Sequence, residues 1–367
     1  MKLALVVPGG VDAGSEARVV PASLAWIERL AREHELHVFA LRQQEVPGRW
    51  RLRGAEIHCV AGGALKAFLA LRREHGHGRF ELVQTFFSGS CGLAAVMATK
   101  LLGLPSCVHL SGGELMALPE IGYGGQLHWK SRLCEAIVMR GATQLSAASA
   151  PMLAQLAVAT GRVGKRIPRG VALDRWPALA PRPRNALPRL LHVASLNPVK
   201  DQATLLRALA LLQAQGVAFE IDIVGEDTLN GSVQALCRRL GLAARVRWHG
   251  FMPQQEWRAL AERADVNLIS SRHEGGPLVV LETAVVGVPS VGTAVGHLAE
   301  WAALPEPAAL AVPVGDSKAL AAAVTRLLAD EDLRLRLAHA AQAEALREDA
   351  DHTAALFTAL HASVLGR

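Results

Sequence analysis

Short apolar runs alternate with amphipathic segments along the whole chain, and this alternation predicts parallel β-sheets covered by helices. The apolar runs are too short for helices and are typical of strands buried on both faces. In the first half the predicted strands are Leu3–Val7, His37–Leu41, Ile57–Val60, Leu82–Thr85 and Cys107–Leu110. The predicted helices between them include Ala22–His34, Ala64–His75 and Leu93–Leu102.

The same alternation restarts in the second half, after a segment that is rich in proline. Four prolines between Pro177 and Pro188 exclude a helix or a central strand, so we predict an interdomain linker and hinge there. The elements predicted after it are strands at Leu190–Val193, Ile221–Val224, Val246–His249, Val266–Ile269 and Ser290–Gly292, and helices at Ala203–Gln215, Val233–Leu240, Gln255–Ala264 and Leu278–Val286.

Two similar α/β halves predict two Rossmann-like domains that face each other across a cleft. The length of 367 residues also favours two domains over one. We place the first domain at residues 1–178 and the second at residues 179–351. The tail from Ser317 onward has helical periodicity, and we expect its last helix, residues 352–367, to pack back on the first domain.

The composition is that of a globular chain with a large core. Hydrophobic residues make up 51% and charged residues 20%, which excludes disorder. The net charge of +6 is spread along the chain without a basic run, so we expect no nucleic-acid partner. The positive charge does favour a weak, salt-sensitive peripheral contact with anionic lipid.

The sequence predicts neither a signal peptide nor a membrane span. Its first residues are a short apolar run followed by Pro8, Gly9 and Gly10, which is typical of a buried strand. No apolar window is long enough to cross a bilayer. The five cysteines are scattered and odd in number, which indicates unpaired thiols in a reducing compartment. We therefore expect a cytoplasmic protein, with any membrane contact on the inner face.

Candidate chemistry is expected in the loops that follow the strands, because ligands of such sheets bind at the carboxyl ends of strands. The first loop, Pro8–Ser15, contains Gly9, Gly10 and Gly14, which let the backbone approach a ligand or serve only to reverse the chain. It does not have the Gly-x-Gly-x-x-Gly pattern, and Arg42 stands where a ribose-binding acid would follow the second strand. Both features argue against a nicotinamide dinucleotide site.

The loop Ser195–Asp201 follows the first strand of the second half and carries Lys200 just before a helix. Helix-terminal amides and a fixed cation together suit a phosphate group. The alternative is a solvated surface lysine.

The most informative segment runs from Ser270 to Glu282 and combines a Gly275-Gly276-Pro277 turn with the start of an apolar helix. The first amides of that helix, at Leu278 and Val279, suit a diphosphate. Glu282 lies among apolar residues, and an unpaired buried carboxylate is costly. It therefore needs either ligand hydroxyl groups or an internal salt bridge to an arginine as its partner.

The Glu-x7-Glu spacing of Glu274 and Glu282, followed by Gly287–Val291, resembles the signature of retaining glycosyltransferases of family four. Further segments resemble those of the family in the same order along nearly the whole chain. They are the segment Pro168–Trp176, the phosphate loop Val193–Asp201, the strand end Ile223–Glu226 and the base-binding turn Val246–Pro253.

The resemblance implies the GT-B fold, no metal cofactor and a nucleoside diphosphate sugar as co-substrate. Glu282 would hold the ribose, Glu274 the donor sugar, and Lys200 the diphosphate, assisted by the Leu278 and Val279 amides. The remaining implied residues are Ser195, Gly225, Gly275 and Gly276 at the donor, Gly250, Phe251 and Met252 at its nucleobase, and Gly9, Gly10, Gly14, Ser111 and Tyr123 on the acceptor and sugar side.

Several positions depart from the family pattern. Ser195 stands where an arginine is common, and Pro277 removes one amide from the glycine turn. Ser111 replaces a histidine of the first domain, and we do not expect the nearby His109 to substitute for it. Arg169 and Ala172 replace the usual asparagine and aspartate.

Other motifs are weaker. Asp349-Ala350-Asp351 has the Asp-x-Asp pattern of metal-binding glycosyltransferases of another fold, but it lies in a charged helical tail, so we predict no metal site there. Tyr123, the one tyrosine of the chain, is either an acceptor contact or a loop anchor. The histidines show no metal-binding spacing, and no nucleophile-elbow motif occurs.

The function that the sequence favours is a retaining, metal-independent glycosyltransferase that moves a sugar to a glycan, a lipid-linked acceptor or a small molecule. Two alternatives remain open: a nucleotide-sugar epimerase of the same architecture, and a degenerate protein that binds sugar nucleotides without transferring the sugar. The sequence does not identify the sugar, the base or the acceptor.

Overall fold

The computed structural model describes residues 1–12, 14 and 19–367, which form two compact units. The first unit contains Met1–Gly170 together with Glu348–Arg367, and the second contains Val171–Arg347. Each unit is built on one sheet that is wholly or mostly parallel, with helices packed against it. The predicted fold class, two Rossmann-like α/β domains, is confirmed.

The first unit has an eight-stranded sheet. Its strands are β1 (Lys2–Val7), β2 (Glu35–Ala40), β3 (Gly48–Leu52), β4 (Ala55–Cys59), β5 (Leu82–Phe86), β6 (Ser106–Leu110), β7 (Gln144–Ala147) and β8 (Lys165–Arg166). Their order across the sheet is β3-β4-β2-β1-β5-β6-β7-β8. All neighbours pair in parallel except the edge strand β3, which is antiparallel to β4.

Helices cover both faces of this sheet, which explains why its central strands are apolar on both sides. The helices before the second unit are α1 (Pro21–Glu33), α2 (Ala64–His77), α3 (Gly89–Leu102), α4 (Trp129–Gly141) and α5 (Ala150–Thr160). In β1, Leu3 and Leu5 pack in the core on the α1 side, whereas Ala4 and Val6 pack in the core formed with α2 and α3.

The second unit has a six-stranded, all-parallel sheet. Its strands are β9 (Arg189–Val193), β10 (Glu220–Val224), β11 (Val246–Gly250), β12 (Val266–Ile269), β13 (Ser290–Thr293) and β14 (Leu310–Val312). Their order is β11-β10-β9-β12-β13-β14, so the direction of winding reverses between β9 and β12. The helices are α6 (Gln202–Ala214), α7 (Ser232–Arg239), α8 (Gln254–Ala261), α9 (Leu278–Val285), α10 (Gly296–Ala302), α11 (Ser317–Ala329) and α12 (Glu331–Arg347).

The last helix, α13 (Ala350–Val364), belongs to the first unit and packs against α1. Phe357 is fully buried, and its ring centroid lies 4.9 Å from that of Trp26. Arg29 of α1 forms an ion pair with Asp351 at 2.7 Å, and Asp349 caps the helix by accepting a hydrogen bond from the His352 amide. Both carboxylates of the Asp-x-Asp motif therefore have structural partners.

The first boundary between the units lies at Gly170 and Val171, earlier in the chain than the predicted 178/179. Trp176 belongs to the second unit, because its buried indole donates a hydrogen bond of 2.7 Å to the Glu282 carbonyl and its ring lies 4.7 Å from that of Trp257. The second boundary lies at Arg347 and Glu348, also earlier than the predicted 351/352.

The proline-rich segment that we predicted as the linker lies inside the second unit, and its contacts there argue against a hinge. The Leu179 amide donates to the Val285 carbonyl at 3.1 Å, and Arg182 forms an ion pair with the fully buried Asp265 at 3.1 Å. The prolines do prevent regular structure, but side-chain contacts hold the segment in place instead.

The two points where the chain passes between the units lie side by side in the first unit. Gly170 packs so closely on Asp349 that a Cβ atom at Gly170 would lie 2.1 Å from the Asp349 carbonyl carbon. The Gly170 amide also donates to the Thr353 hydroxyl group at 2.9 Å. Among the described residues, no helix is long and apolar enough to cross a membrane.

Replacing Phe357 by alanine should loosen α13 from the first unit. Truncation of a fully buried phenylalanine costs about 3–5 kcal/mol, because apolar contacts are lost and a cavity remains. Amide hydrogen exchange should therefore speed up in α1 and α13 while the second unit keeps its protection. Ala359→Ser, at an exposed position of the same helix, is the control, and equal exchange in both variants would contradict this packing.

Candidate active site

The residues predicted around a donor lie in loops at one edge of the second sheet. These loops follow β9, β10, β11 and β12, which are neighbours in the sheet and run in the same direction. Their carboxyl ends therefore meet at the same edge, next to the reversal of winding between β9 and β12. Such a reversal opens a crevice in parallel sheets and is where their ligands bind.

Lys200 and Glu274 are in direct contact there. The Lys200 Nζ atom lies 2.6 Å from a carboxylate oxygen of Glu274, and the Ser271 hydroxyl group donates to the same oxygen at 2.6 Å. Both side chains are mostly buried. The lysine is therefore not the solvated surface residue of the alternative interpretation, and a fixed cation and a fixed carboxylate stand side by side.

Backbone contacts hold the two loops together around this pair. The Arg272 amide donates to the Val199 carbonyl at 2.7 Å, and the Ser270 hydroxyl group donates to the Lys200 carbonyl at 2.7 Å. The Thr293 hydroxyl group donates to the Ser271 carbonyl at 2.6 Å from the opposite side. The loops after β9, β12 and β13 thus form one hydrogen-bonded assembly.

The turn after Glu274 leads into α9. Gly275, Gly276 and Pro277 are buried, and Pro277 directly precedes the first helical residue, Leu278. The amides of Leu278 and Val279 belong to the first turn of the helix, where no preceding carbonyl of the helix can accept their hydrogen bonds. This end of α9 therefore suits an anion, as the sequence predicts.

Glu282 is 8% exposed, and no arginine in the described part of the chain takes part in its hydrogen bonds, so within that part the internal salt bridge expected as the alternative is not what balances it. Its carboxylate instead accepts a hydrogen bond from the side chain of Gln254. Burial raises the pKa of Glu282 from its ordinary 4.5 to about 7, although the Gln254 hydrogen bond acts in the opposite direction.

The predicted base-binding turn is connected to Glu282 through Gln254, which follows it directly in the chain. In this turn Gly250 has a positive φ and Phe251 is 53% exposed, whereas Met252 packs into the core. The Gly250 carbonyl accepts a hydrogen bond of 2.7 Å from the Gly225 amide. A side chain at Gly225 would collide with the Ala194 carbonyl, so glycine is required there for the loops to meet.

Ser195 lies in the loop after β9 and is exposed. Its carbonyl accepts a hydrogen bond from Gln202 at 3.1 Å, which fixes the loop against α6. The side chain supplies no charge, so Lys200 is the cation that this loop contributes.

In the first unit, only some of the predicted acceptor-side residues come together. Tyr123 lines a cavity of about 530 Å³ with Gly112 and Gly113, and its ring lies against Gly113. Ser111 is buried beside this cavity, and its amide donates to the Glu114 carboxylate at 3.0 Å.

The three glycines of the loop after β1 do not line one common site. Gly10 lines a separate cavity of about 710 Å³ with Arg42 and Gln43, and Gly9 lies beside Gln43 as well. Gly14 is exposed, and its amide donates to Asp12 at 3.2 Å. Two members of the predicted loop, Ala13 and Ser15, lie outside the described residues.

The sequence did not single out the two carboxylates that line the 530 Å³ cavity, Glu114 and Glu135. Glu114 accepts hydrogen bonds from the Ser111 and Gly112 amides, and Glu135 accepts one from the Ser88 hydroxyl group. Burial raises the pKa of Glu135 to about 7, and the nearby Glu114 adds to the rise. The sequence does contain a signal for Glu135, which is an acidic residue on the apolar face of a helix. This signal can be used only if helix α4 has been predicted first.

His109 does not replace the missing histidine of the first unit. It is fully buried under α13, where its Nδ1 atom lies 3.0 Å from the Ser146 hydroxyl group and its ring lies 5.3 Å from that of Phe357. Burial lowers its pKa to about 3, so the ring is a neutral core residue.

Glu282 should make stability depend on pH. The folded state holds its proton more tightly than the unfolded chain does, so stability is lost as the pH rises from about 4.5 through about 7, by roughly 2–4 kcal/mol. Glu282→Gln should remove this loss, because the amide does not ionise. In urea unfolding, the free energy of unfolding of the variant relative to that of the wild type should therefore be higher at about pH 8 than at about pH 5. Glu306→Gln, at an exposed position of the same unit, is the control. An unchanged pH profile in Glu282→Gln would contradict the shifted pKa.

Comparison with known proteins finds a family match within the second unit. Residues 181–344 match the family model of the glycosyl transferases group 1. The chain is 32% identical over 176 residues to a glycogen synthase of Mycobacterium tuberculosis, which covers 48% of this chain and 42% of that protein. It is 27% identical over 343 residues to a 2-deoxystreptamine glucosyltransferase of Streptomyces kanamyceticus, with 87% and 86% covered. The chain thus spans less than half the length of the first of these relatives.

Solved structures extend the likeness to the whole chain. Sucrose-phosphate synthase from Thermosynechococcus elongatus superposes with a TM-score of 0.80 at 18% identity, with both chains covered completely. The Anabaena protein HepE, in complex with UDP-glucose, gives a TM-score of 0.75 at 18% identity and covers 99% of this chain and 100% of its own. Residues 181–344 are therefore similar to the domain of the group 1 glycosyl transferases, and the chain as a whole has the GT-B fold.

Proposed function

We propose that this protein is a retaining glycosyltransferase that takes a sugar from a nucleoside diphosphate sugar without a metal cofactor. The observation that carries the proposal is the Lys200–Glu274 pair, held at 2.6 Å beside the start of α9. A cation and helix-terminal amides suit the diphosphate, and a carboxylate next to them suits the sugar hydroxyl groups. The group 1 family match of the same unit supports this assignment.

Glu282 binds the ribose in this proposal. A buried carboxylate whose partner is the neutral Gln254 amide keeps acceptor capacity for ligand hydroxyl groups. Gln254 follows the turn Gly250–Pro253, where the exposed Phe251 offers a surface to the nucleobase. UDP is the nucleotide we propose, because the Anabaena protein of the same fold was crystallised with UDP-glucose.

Catalysis in this proposal rests on the charge that develops as the sugar leaves the diphosphate. Lys200 and the first amides of α9 stabilise that charge more in the transition state than in the ground state, which is what lowers the barrier. Glu274 is engaged by Lys200 and Ser271, so it is suited to orienting the sugar and poorly suited to attacking it. We therefore propose front-face displacement, in which the departing diphosphate accepts the proton of the acceptor hydroxyl group.

The 530 Å³ cavity of the first unit is the acceptor site in this proposal. It combines the ring of Tyr123 with the carboxylates of Glu114 and Glu135, so it offers both an apolar wall and hydrogen-bond acceptors. A glycan, lipid-linked or small hydroxylated acceptor fits this chemistry.

We also propose a peripheral contact with anionic lipid through the outer face of α4. Trp129, Leu133 and Ile137 follow one another at helical spacing and are 63%, 54% and 42% exposed. The other exposed residues of the helix are Lys130, Arg132 and Arg140, all cationic. An apolar stripe with cationic flanks suits a bilayer surface, with tryptophan at the headgroup level.

Such a contact would place the protein at the inner face of the membrane. The unpaired state of all five cysteines supports this reducing compartment. Glu135, on the opposite face of α4, lines the proposed acceptor cavity. The same helix would therefore form both the lipid contact and one wall of the acceptor site.

Glu282→Ala should weaken UDP binding by roughly 1–3 kcal/mol, because hydrogen bonds to a charged group are lost. Gln254→Ala is the matched control, since it breaks the same internal contact but removes no ribose ligand, and it should bind UDP as well as the wild type does. Isothermal titration calorimetry measures both. If Glu282→Ala and Gln254→Ala bind UDP with equal affinity and lose similar stability, Glu282 is a structural residue and does not bind the ribose.

In the same titrations Glu274→Ala should keep the affinity for UDP, because the sugar is the part of the donor that contacts Glu274 in this proposal. For the same reason the variant should turn over the sugar nucleotide more slowly. Lys200→Ala should lower turnover more than UDP affinity, because its charge matters most as the diphosphate departs. If Glu274→Ala and Glu282→Ala both bind UDP like the wild type, the donor site is assigned wrongly. Slow release of UDP from UDP-glucose without acceptor distinguishes an enzyme from a degenerate binding protein.

Flotation with anionic vesicles tests the lipid contact. The wild type should float at low salt and be released at high salt, since part of the attraction is electrostatic. Trp129→Ser combined with Leu133→Ser should abolish flotation, whereas Val158→Ser, an exposed apolar residue of α5, should not. Failure of the wild type to float would remove the proposal.

A further inference from the structure

Two histidines and a glutamate lie together on neighbouring strands of the first unit. His37 is on β2, and Glu56 and His58 are on β4. The strands are parallel, with His37 opposite Glu56 and Phe39 opposite His58. Positions of this register share one face of a sheet, so the three side chains project to the same side. One potential ligand atom from each of the three lies within 4.8 Å of the other two.

The two imidazole rings already have a spacing close to that of a metal site. His37 Nδ1 lies 3.0 Å from His58 Nε2. In a tetrahedral ion with bonds of about 2.0–2.1 Å to each nitrogen, the nitrogens would be about 3.3 Å apart. Small side-chain shifts are therefore enough to admit an ion.

A second feature orients His37 as a ligand. Its other ring nitrogen, Nε2, lies 3.2 Å from the Glu35 carboxylate. A carboxylate that accepts the N–H of one ring nitrogen leaves a lone pair on the other, which is the usual outer arrangement of metal-bound histidines. Without an ion that lone pair accepts the His58 Nε2–H. The Nδ1 atom of His58, a residue that is 3% exposed, then has no hydrogen-bond partner among the residues that the structure describes.

A cationic side chain, that of Arg51, competes with a metal ion for Glu56. Arg51 of the edge strand forms an ion pair with Glu56 at 3.0 Å. The Arg51 side chain is largely exposed, and exposed pairs of this kind contribute little energy, so it can release Glu56 easily. Arg49 also reaches this face, but it pairs with Glu74 of α2.

We propose that His37, Glu56 and His58 bind a divalent first-row transition ion such as Zn²⁺. Two imidazoles and one carboxylate suit such ions, whereas Mg²⁺ and Ca²⁺ prefer oxygen ligands throughout. The protein supplies three ligands, and the partly exposed Glu56 leaves the fourth position open on the solvent side. The ion would cross-link β2 and β4 and so strengthen the support of the edge strand β3. It takes no part in the proposed glycosyl transfer.

Titration of the full chain with Zn²⁺ after treatment with EDTA tests the proposal. The wild type should bind one equivalent with a rise in melting temperature, and Co²⁺ should give the visible absorption of a four-coordinate ion. Mg²⁺ should do neither. Glu56→Gln should bind Zn²⁺ at least about tenfold more weakly, and Glu35→Gln should lose about 10–100-fold because the orienting carboxylate is gone.

Arg51→Gln is the matched control, because it breaks the same ion pair as Glu56→Gln but frees the ligand. It should bind Zn²⁺ at least as tightly as the wild type. His128→Ala, an exposed histidine elsewhere in the first unit, should leave binding unchanged. If Glu56→Gln and the wild type bind equally, or if Arg51→Gln weakens binding as much as Glu56→Gln, the site does not exist. Circular dichroism verifies that each variant is folded, and Glu56 is exposed enough for its variant to fold even where His58→Ala does not.

Discussion

The candidate site depends on how two loops are joined at the point where the second sheet reverses its winding. β9 and β12 pair over only two residues, and beyond those pairs the loops are held by one another. The Lys200–Glu274 ion pair and the backbone hydrogen bond between Arg272 and Val199 join the two loops at this point. Because Lys200 and Glu274 are in contact at 2.6 Å, any anion that binds Lys200 has to share this cation with Glu274.

The sequence supports the fold well because apolar runs and helical periodicity are local signals. All five strands predicted in the second half occur, within one residue at either end. For two of the elements that were not predicted, the structure gives a physical reason. The edge strand Gly48–Leu52 alternates exposed arginines with half-buried residues, and α4 exposes its tryptophan stripe, so neither has the apolar pattern of a buried element.

The site was predictable only in part. Glu274, Glu282 and Lys200 stand out because a charge at a strand end or within an apolar helix needs a partner. Lys200 and Glu274 are partners of each other, although 74 positions separate them in the chain. The further partners of the two glutamates, Ser271 and Gln254, are neutral residues that no spacing rule distinguishes. The His37, Glu56 and His58 group was invisible for another reason: its members come from two strands joined by sheet register, not by a short motif.

The adjacency of Gly170 and Asp349 bears on how the chain is assembled. The second unit is, in topological terms, an insertion into the first: it leaves and re-enters through one spot, and the inserted stretch contributes nothing to the first unit's sheet. Termini that close together are what permit one domain to be exchanged for another without stretching its host. A module inserted in this way can diverge or be exchanged as one piece, while α13 completes the core of the first unit on its own.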